Sequence, residues 1–83
     1  MSNPTIQVLG TTWCYDTHIV LDFFQKHDIE FEWVDIDQSI EAEQRVLQIN
    51  GGFRSVPTII LEDGTTLTEP SRQELADFFL KGS

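Results

Sequence analysis

The residue best able to do chemistry in this 83-residue chain is its one cysteine, Cys14, set in the run Thr11-Thr12-Trp13-Cys14-Tyr15-Asp16-Thr17-His18. The run falls where an expected first strand gives way to an expected first helix. A thiol at a helix N-terminus faces unpaired backbone N–H groups and the positive end of the helix dipole, both of which favour the thiolate over the thiol. The thiolate is the nucleophile of disulfide exchange, so position makes Cys14 the candidate catalytic residue; the alternative is a small buried hydrophobe, the common fate of a free cysteine. Thr17 and His18 are candidates for tuning it. The Thr17 hydroxyl can hydrogen-bond the Cys14 sulfur one turn back, or can be an ordinary side chain facing the preceding turn. His18, at i+4 from Cys14, lowers a thiol pKa if its imidazole is protonated, or is simply a packing or surface residue. Asp16 reads as a solvated first-turn carboxylate that suits the dipole, and His27 as a cation at the far helix end.

The elements that must position this run follow from period and punctuation. Residues 5–9 are short, partly alternating and β-branched, and Gly10 follows, which predicts a central strand. From Cys14 to His27, Ile19, Val20, Phe23 and Phe24 recur at helical spacing, with Leu21 on the flank and Thr12 as the expected cap. Residues 31–37 alternate apolar and acidic side chains and predict a second strand, making a right-handed βαβ unit with parallel strands. Ser39 caps an expected helix over residues 40–49, with Ile40, Val46, Leu47 and Ile49 inward and Asn50-Gly51-Gly52 closing it. After Val56-Pro57, residues 58–61 predict a strand. Asp63-Gly64 suits a type I′ hairpin, and residues 66–68 return. Ser71 and Glu74 have capping-box spacing for a last helix with Leu75, Phe78 and Phe79 buried, ended by Gly82.

The resulting order, β-α-β-α-β-β-α, predicts an α/β fold: a four-stranded mixed sheet with helices on both faces, in one domain over residues 1–83. With one cysteine and no obvious metal-ligand cluster, packing alone must hold the core, and Phe23, Phe24, Phe31, Trp33, Phe53, Phe78 and Phe79 are its expected large side chains. A net charge of −9 with only five Lys and Arg argues against nucleic acid, whose phosphates need cations. No stretch is apolar enough to span a bilayer and residues 1–5 do not resemble a targeting segment, so the expectation is a cytoplasmic protein without membrane contact. A single cysteine fits a reducing compartment.

Three segments together resemble the glutaredoxin family of the thioredoxin fold, and within it the mycoredoxin-like branch, over most of the chain from Ile6 to Phe79. They are Trp13-Cys14, Asn50-Gly51-Gly52-Phe53-Arg54-Ser55-Val56-Pro57, and Asp63-Gly64-Thr65-Thr66-Leu67-Thr68-Glu69-Pro70-Ser71. The resemblance implies a thioredoxin-like fold and a cis Pro57 packed opposite Cys14, with the Val56 backbone turned toward the thiol to pair with an extended substrate. It implies a small thiol gripped along that proline edge and, through a carboxylate, at the start of the last helix, where Ser71, Arg72 and Gln73 stand. Trp13 and Tyr15 flank the thiol on the same expected substrate face. Arg54 is the nearest cation to the Val-Pro edge and is either a grip for the ligand's other anionic end or a solvated loop residue.

The usual dithiol motif of the family has a second cysteine where this chain has Thr17. The sequence Cys14-Tyr15-Asp16-Thr17 closes the intramolecular-disulfide route and leaves a monothiol one. The expected activity is therefore reduction of mixed disulfides between proteins and a low-molecular-weight thiol, with no tightly bound cofactor and no metal, by a monomer. Glutathione-specific members often carry a lysine just before the cysteine segment, and Gly10-Thr11-Thr12 offers none. That absence, with Pro70-Ser71 at the last helix, leaves a mycothiol- or bacillithiol-type cosubstrate open beside glutathione. Two other readings stand beside the enzyme: a [2Fe–2S] cluster bridged in a dimer by Cys14 and small thiols, against which bulky Tyr15 argues, and a catalytically silent thioredoxin-fold adaptor.

Overall fold

The computed structural model describes residues 5–80. Strand β1 (Ile6–Gly10) lies at the middle of a four-stranded sheet, parallel to β2 (Phe31–Asp35) on one side and antiparallel to β3 (Thr58–Ile60) on the other, with β4 (Thr66–Thr68) at the edge beyond β3. The sequence order with helices α1 (Tyr15–Lys26), α2 (Ile40–Ile49) and α3 (Arg72–Phe79) is β-α-β-α-β-β-α, as expected.

The period of two along the strands builds two cores. Val8 and Ile59 are paired across β1 and β3 and point to one face, where they meet Val20 and Phe24 of α1 and Leu75 of α3. Leu9 and Ile60 point to the other, against Ile36, which follows β2, and Val46 of α2. Aromatic rings fill the first face: Phe24 lies with its ring centroid 5.2 Å from Phe79 and 5.4 Å from Phe31. Burial of a ring such as Phe24 is the largest single apolar contribution available to a chain of this size.

The helix ends follow local chemistry. Ser39 Oγ accepts the Ala42 N–H at the start of α2. The C-terminus of α2 closes with the Gly52 N–H donating to the Leu47 carbonyl at 2.7 Å, with Gly51 and Gly52 both at positive φ, the Schellman arrangement that glycine adopts without a Cβ penalty. At α3 the capping box is complete.

Five expectations need correction. The N-cap of α1 is Cys14, not Thr12, because Thr12 and Trp13 form a turn and Cys14 is extended, so the helix begins only at Tyr15. Ile40 is 75% exposed: six residues from inward-facing Val46, it lies roughly 240° around the helix and off the buried stripe. Phe53 is 71% exposed, lying in the α2–β3 connection whose residues 51–54 all face solvent. Phe78 is half exposed in the last turn of α3, beside Ile6 and the Leu61–Asp63 hairpin residues. The hairpin is not type I′. Only Gly64 has positive φ, Leu61 N–H donates to Thr65, and Gly64 N–H donates back to Leu61, giving a three-residue loop with Asp63 Oδ1 accepting from Thr65 N–H. The strand ends also shift: β1 includes Gly10, β2 stops at Asp35, where Asp35 Oδ1 accepts the Asp37 N–H and bends the chain, and β3 stops at Ile60. Gly82 lies outside the described residues.

Candidate active site

Cys14 sits at the N-cap of α1, half-buried, with extended dihedrals of φ −92° and ψ 123° and no capping hydrogen bond from its own side chain. The turn that delivers it leaves β1 through buried Thr11, whose carbonyl accepts the Cys14 N–H at 3.5 Å. Its Sγ faces the Val56 carbonyl at 3.8 Å, the S–H donating. These two residues are distant in sequence and meet because β1 and β3 are neighbours, so the strand-to-helix turn after β1 lies beside the segment that enters β3. The Val56–Pro57 peptide bond is cis.

That segment is anchored on both sides. Asn50 Nδ2 donates to the Val46 carbonyl at 2.9 Å and to Thr58 Oγ1 at 3.0 Å, while its Oδ1 accepts from Thr68 Oγ1 at 2.7 Å. Thr58 Oγ1 in turn donates to the Ser55 carbonyl at 2.7 Å. The Pro57 carbonyl accepts from the Glu69 N–H at 2.8 Å, with Glu69 at φ 49°. Asn50 thus ties α2, β3 and β4 to the loop that faces the thiol. From the sequence it reads only as a helix terminator; the signal for more was a threonine on each of the two strands within its reach.

Thr17 does not reach the sulfur. It is fully buried, and its Oγ1 has no hydrogen-bond partner. Its side chain is turned instead onto Gly10, so closely that a Cβ at Gly10 would lie 2.7 Å from Thr17 Oγ1. Of the two readings of Thr17, the hydrogen bond to Cys14 is absent and a packing contact seats the first turn of α1 on the end of β1. His18 is directed back to the Thr12 carbonyl, to which Nε2–H donates at 2.6 Å, so its ring braces the turn before Cys14. His27 packs against Phe23, with ring centroids 4.5 Å apart and the planes tilted by 50°.

Trp13 and Tyr15 stand exposed on either side of Cys14, at 68% and 73%. Trp13 is tethered: its indole N–H donates to Asp37 Oδ2 at 2.9 Å. The other oxygen of Asp37 takes Arg54, whose Nε also donates to Glu43 at 2.7 Å. The Trp13 hydrogen bond, and after it the Arg54 guanidinium, hold the Asp37 carboxyl below its ordinary range, and Glu43 and Asp37 together hold Arg54 above its own. Arg54 is therefore already engaged by two carboxylates. Asp37 joins the residue before Cys14 to the loop before Val56, a role that its place in an acidic alternating stretch did not reveal.

Ser71 and Arg72 are at the start of α3, but no hydrogen bond or ion pair joins either to Cys14 among the described residues. Ser71 Oγ accepts from the Glu74 N–H at 3.1 Å and Ser71 N–H donates to Glu74 Oε1 at 2.8 Å. Arg72 lines a groove between α1 and α3 with Ile19, Asp22 and Lys26. Among the described residues no group of three or more His, Cys, Asp or Glu converges to hold a metal ion, and no helix is long and apolar enough to cross a membrane.

A cysteine at the helix start, facing a backbone carbonyl beside a proline across a mixed sheet, is the layout that comparison with known proteins then places. The sequence model of the glutaredoxin family matches residues 6–65. The chain belongs to the glutaredoxin family. It is 37% identical over 75 residues to mycoredoxin 1 of Corynebacterium glutamicum, covering 90% of each chain. Among solved structures it superposes on a thioredoxin-like protein with a TM-score of 0.76, at 23% identity, over 89% of this chain and 99% of that one. A glutaredoxin from Archaeoglobus fulgidus matches with a TM-score of 0.72, at 19% identity, over 95% of this chain and 88% of that one. At these identities the structural matches establish the thioredoxin-like fold. The glutaredoxin family and this fold are those of thiol–disulfide oxidoreductases.

Proposed function

We propose that this chain is a monothiol oxidoreductase that uses Cys14 to reduce mixed disulfides between proteins and a low-molecular-weight thiol. The observation that carries the reading is the position of Cys14 Sγ at the N-cap of α1, 3.8 Å from the Val56 carbonyl. In the first step the Cys14 thiolate attacks the small-thiol sulfur of the mixed disulfide. A Cys14–S–S–small thiol bond forms, the original S–S bond breaks, and its electron pair leaves on the substrate protein's sulfur as a thiolate, which is protonated by water. A second molecule of the small thiol, as its thiolate, then attacks the small-thiol sulfur of the adduct. The free disulfide of two small thiols departs and the Cys14 thiolate is restored. With Thr17 where a second cysteine would stand, regeneration depends on that external thiol.

The Val56 backbone lies where it can run beside the incoming disulfide, Trp13 and Tyr15 offer exposed rings on the thiol side, and Pro57 closes the opposite wall. Ser71 and Arg72, at the start of α3, are the positions to which the family resemblance assigns the ligand's carboxylate. Thr17 and His18 act as positioning residues, the first by seating α1 on Gly10 and the second by bracing Thr12. The reading takes residues 1–83 as one domain working as a monomer in the reducing cytoplasm, with glutathione or a mycothiol-type thiol as cosubstrate.

The test is turnover of a peptide mixed disulfide carrying glutathione or mycothiol, with the matching thiol as reductant. Wild type is expected to turn over at least one of the two, and Cys14→Ser neither. Retention of activity by Cys14→Ser would remove the proposal.

A further inference from the structure

The direction of every hydrogen bond around the Asn50 side chain is fixed by groups that act one way only. The Val46 carbonyl can only accept, so it faces the Asn50 amide nitrogen, at 2.9 Å. The Ser55 carbonyl can only accept, so the Thr58 hydroxyl donates to it at 2.7 Å and takes the second Asn50 N–H on its own oxygen at 3.0 Å. The Asn50 oxygen is left to accept from Thr68, at 2.7 Å. The Asn50 backbone N–H also donates to the Val46 carbonyl, at 3.0 Å, so backbone and side chain are anchored together on the end of α2. Thr58 is fully buried, where water does not compete for its hydroxyl. The result is a one-way relay from α2 through Asn50 and Thr58 to the Ser55 carbonyl. Ser55 precedes Val56, whose own carbonyl lies 3.8 Å from Cys14 Sγ.

We infer that Asn50 is a positioning residue for exchange at Cys14: through the Thr58 hydroxyl it fixes the Ser55 carbonyl, and so the Val56 backbone beside which the incoming disulfide lies. Its bond to exposed Thr68 braces the edge strand β4 and is not needed at the thiol. The inference rests on the proposed reaction at Cys14 and adds the residue that holds its geometry. Position matters because a misplacement of about 1 Å at a reacting centre costs on the order of a hundredfold in rate. The amide is specific to the task. A carboxylate at position 50 has no proton for the Val46 carbonyl, and it draws the Thr58 hydroxyl to itself, which releases the Ser55 carbonyl.

Two neutral probes separate positioning from mere exposure of the thiol. One is the disulfide of N-acetylcysteine methylamide, which carries peptide groups on both sides of its sulfurs and must lie beside Val56 to react. The other is iodoacetamide, which needs no such alignment. The readout is the ratio of the two single-turnover rates at Cys14, measured at one pH. Both reactions consume the thiolate, so any change in its amount cancels in the ratio. Thr58→Val removes the hydroxyl that joins Asn50 to the Ser55 carbonyl, and Asn50→Asp diverts it. Each is expected to lower the ratio by roughly three- to tenfold, the scale of one net hydrogen bond. Thr58→Ser keeps the hydroxyl and should hold the ratio within about twofold of wild type. Thr68→Val removes a bond to the same amide on its β4 side and should also stay within about twofold.

Urea unfolding of each variant shows which are folded under the assay conditions. Should buried Thr58→Val not fold, Asn50→Asp at its half-buried position decides the matter against Thr68→Val. If wild type turns over no mixed disulfide with excess small thiol, the proposed reaction fails, while the single-turnover ratio still decides the role of Asn50. A ratio unchanged in Thr58→Val and Asn50→Asp overturns the inference. So does a fall in Thr68→Val as large as in those two, or a Thr58→Ser ratio as low as that of Thr58→Val.

Discussion

Replacing Gly10 by alanine places the new methyl 2.7 Å from Thr17 Oγ1, 3.0 Å from Thr17 Cγ2 and 3.4 Å from the Trp33 ring. Thr17 is fully buried in the first turn of α1, so it cannot swing into solvent to make room. Overpacking of this kind costs about 1–3 kcal/mol. Gly10 is not among the residues at positive φ, so alanine suits its backbone and returns about 0.4–1 kcal/mol by restricting the unfolded chain. The net expectation is a loss of about 1–2 kcal/mol, or a drop in melting temperature on the order of 5–15 °C for a domain this small. Thr17→Ala removes both atoms that clash. In that background Gly10→Ala should be neutral or slightly stabilising, leaving a coupling of about 1–3 kcal/mol in the double-mutant cycle. Urea unfolding of the four proteins, followed by circular dichroism, measures it. Equal costs for Gly10→Ala in both backgrounds, with coupling below about 0.5 kcal/mol, would refute the claim that this contact seats α1, and with it Cys14, on β1.

Thr17→Val exchanges a buried, unpartnered hydroxyl for a methyl group of the same shape and is expected to stabilise the fold by about 1 kcal/mol in the same unfolding assay. Ser71→Ala removes the acceptor for the Glu74 N–H and should cost about 1 kcal/mol, with Asp in its place recovering most of it. Asp37 has its carboxyl pKa depressed by Trp13 and Arg54, so its contribution to stability is present above the ordinary carboxylate value of 3.8 and is lost as pH falls through the lower folded value. The Trp13 indole N–H resonance should accordingly titrate with a midpoint below 3.8, and Asp37→Asn should abolish that transition.

What was legible in the chain was what local rules govern. The alternation in residues 5–9, the period of Val20 and Phe24, the Ser39 and Ser71 caps and the glycines after α2 each act within a few residues, and each lies within a residue of where the sequence placed it. The Asp63-Gly64 turn was located but mistyped, because the same dipeptide fits a two-residue or a three-residue loop and strand register chooses between them. At the candidate site, Cys14 was found from its position at the strand-to-helix turn and Val56-Pro57 from resemblance, and the Cys14–Val56 contact is in place. The Trp13–Asp37–Arg54–Glu43 chain was not legible, since it joins four segments whose meeting depends on tertiary packing. Of the two readings open for Thr17, the structure has the packing one, for a similar reason: its side chain answers to the open surface of Gly10 across the turn, not to the sulfur one turn back on its own helix. Exposed Ile40, Phe53 and Phe78 show that apolar type alone does not assign burial.

The most direct test of the account is the intact mass of the protein after brief reaction with a peptide–small thiol mixed disulfide in the absence of free thiol, quenched in acid. The predicted result is one adduct with the mass of the small thiol on Cys14 and an equal amount of reduced peptide in solution. An adduct carrying the peptide in place of the small thiol, or an unmodified Cys14, would contradict it.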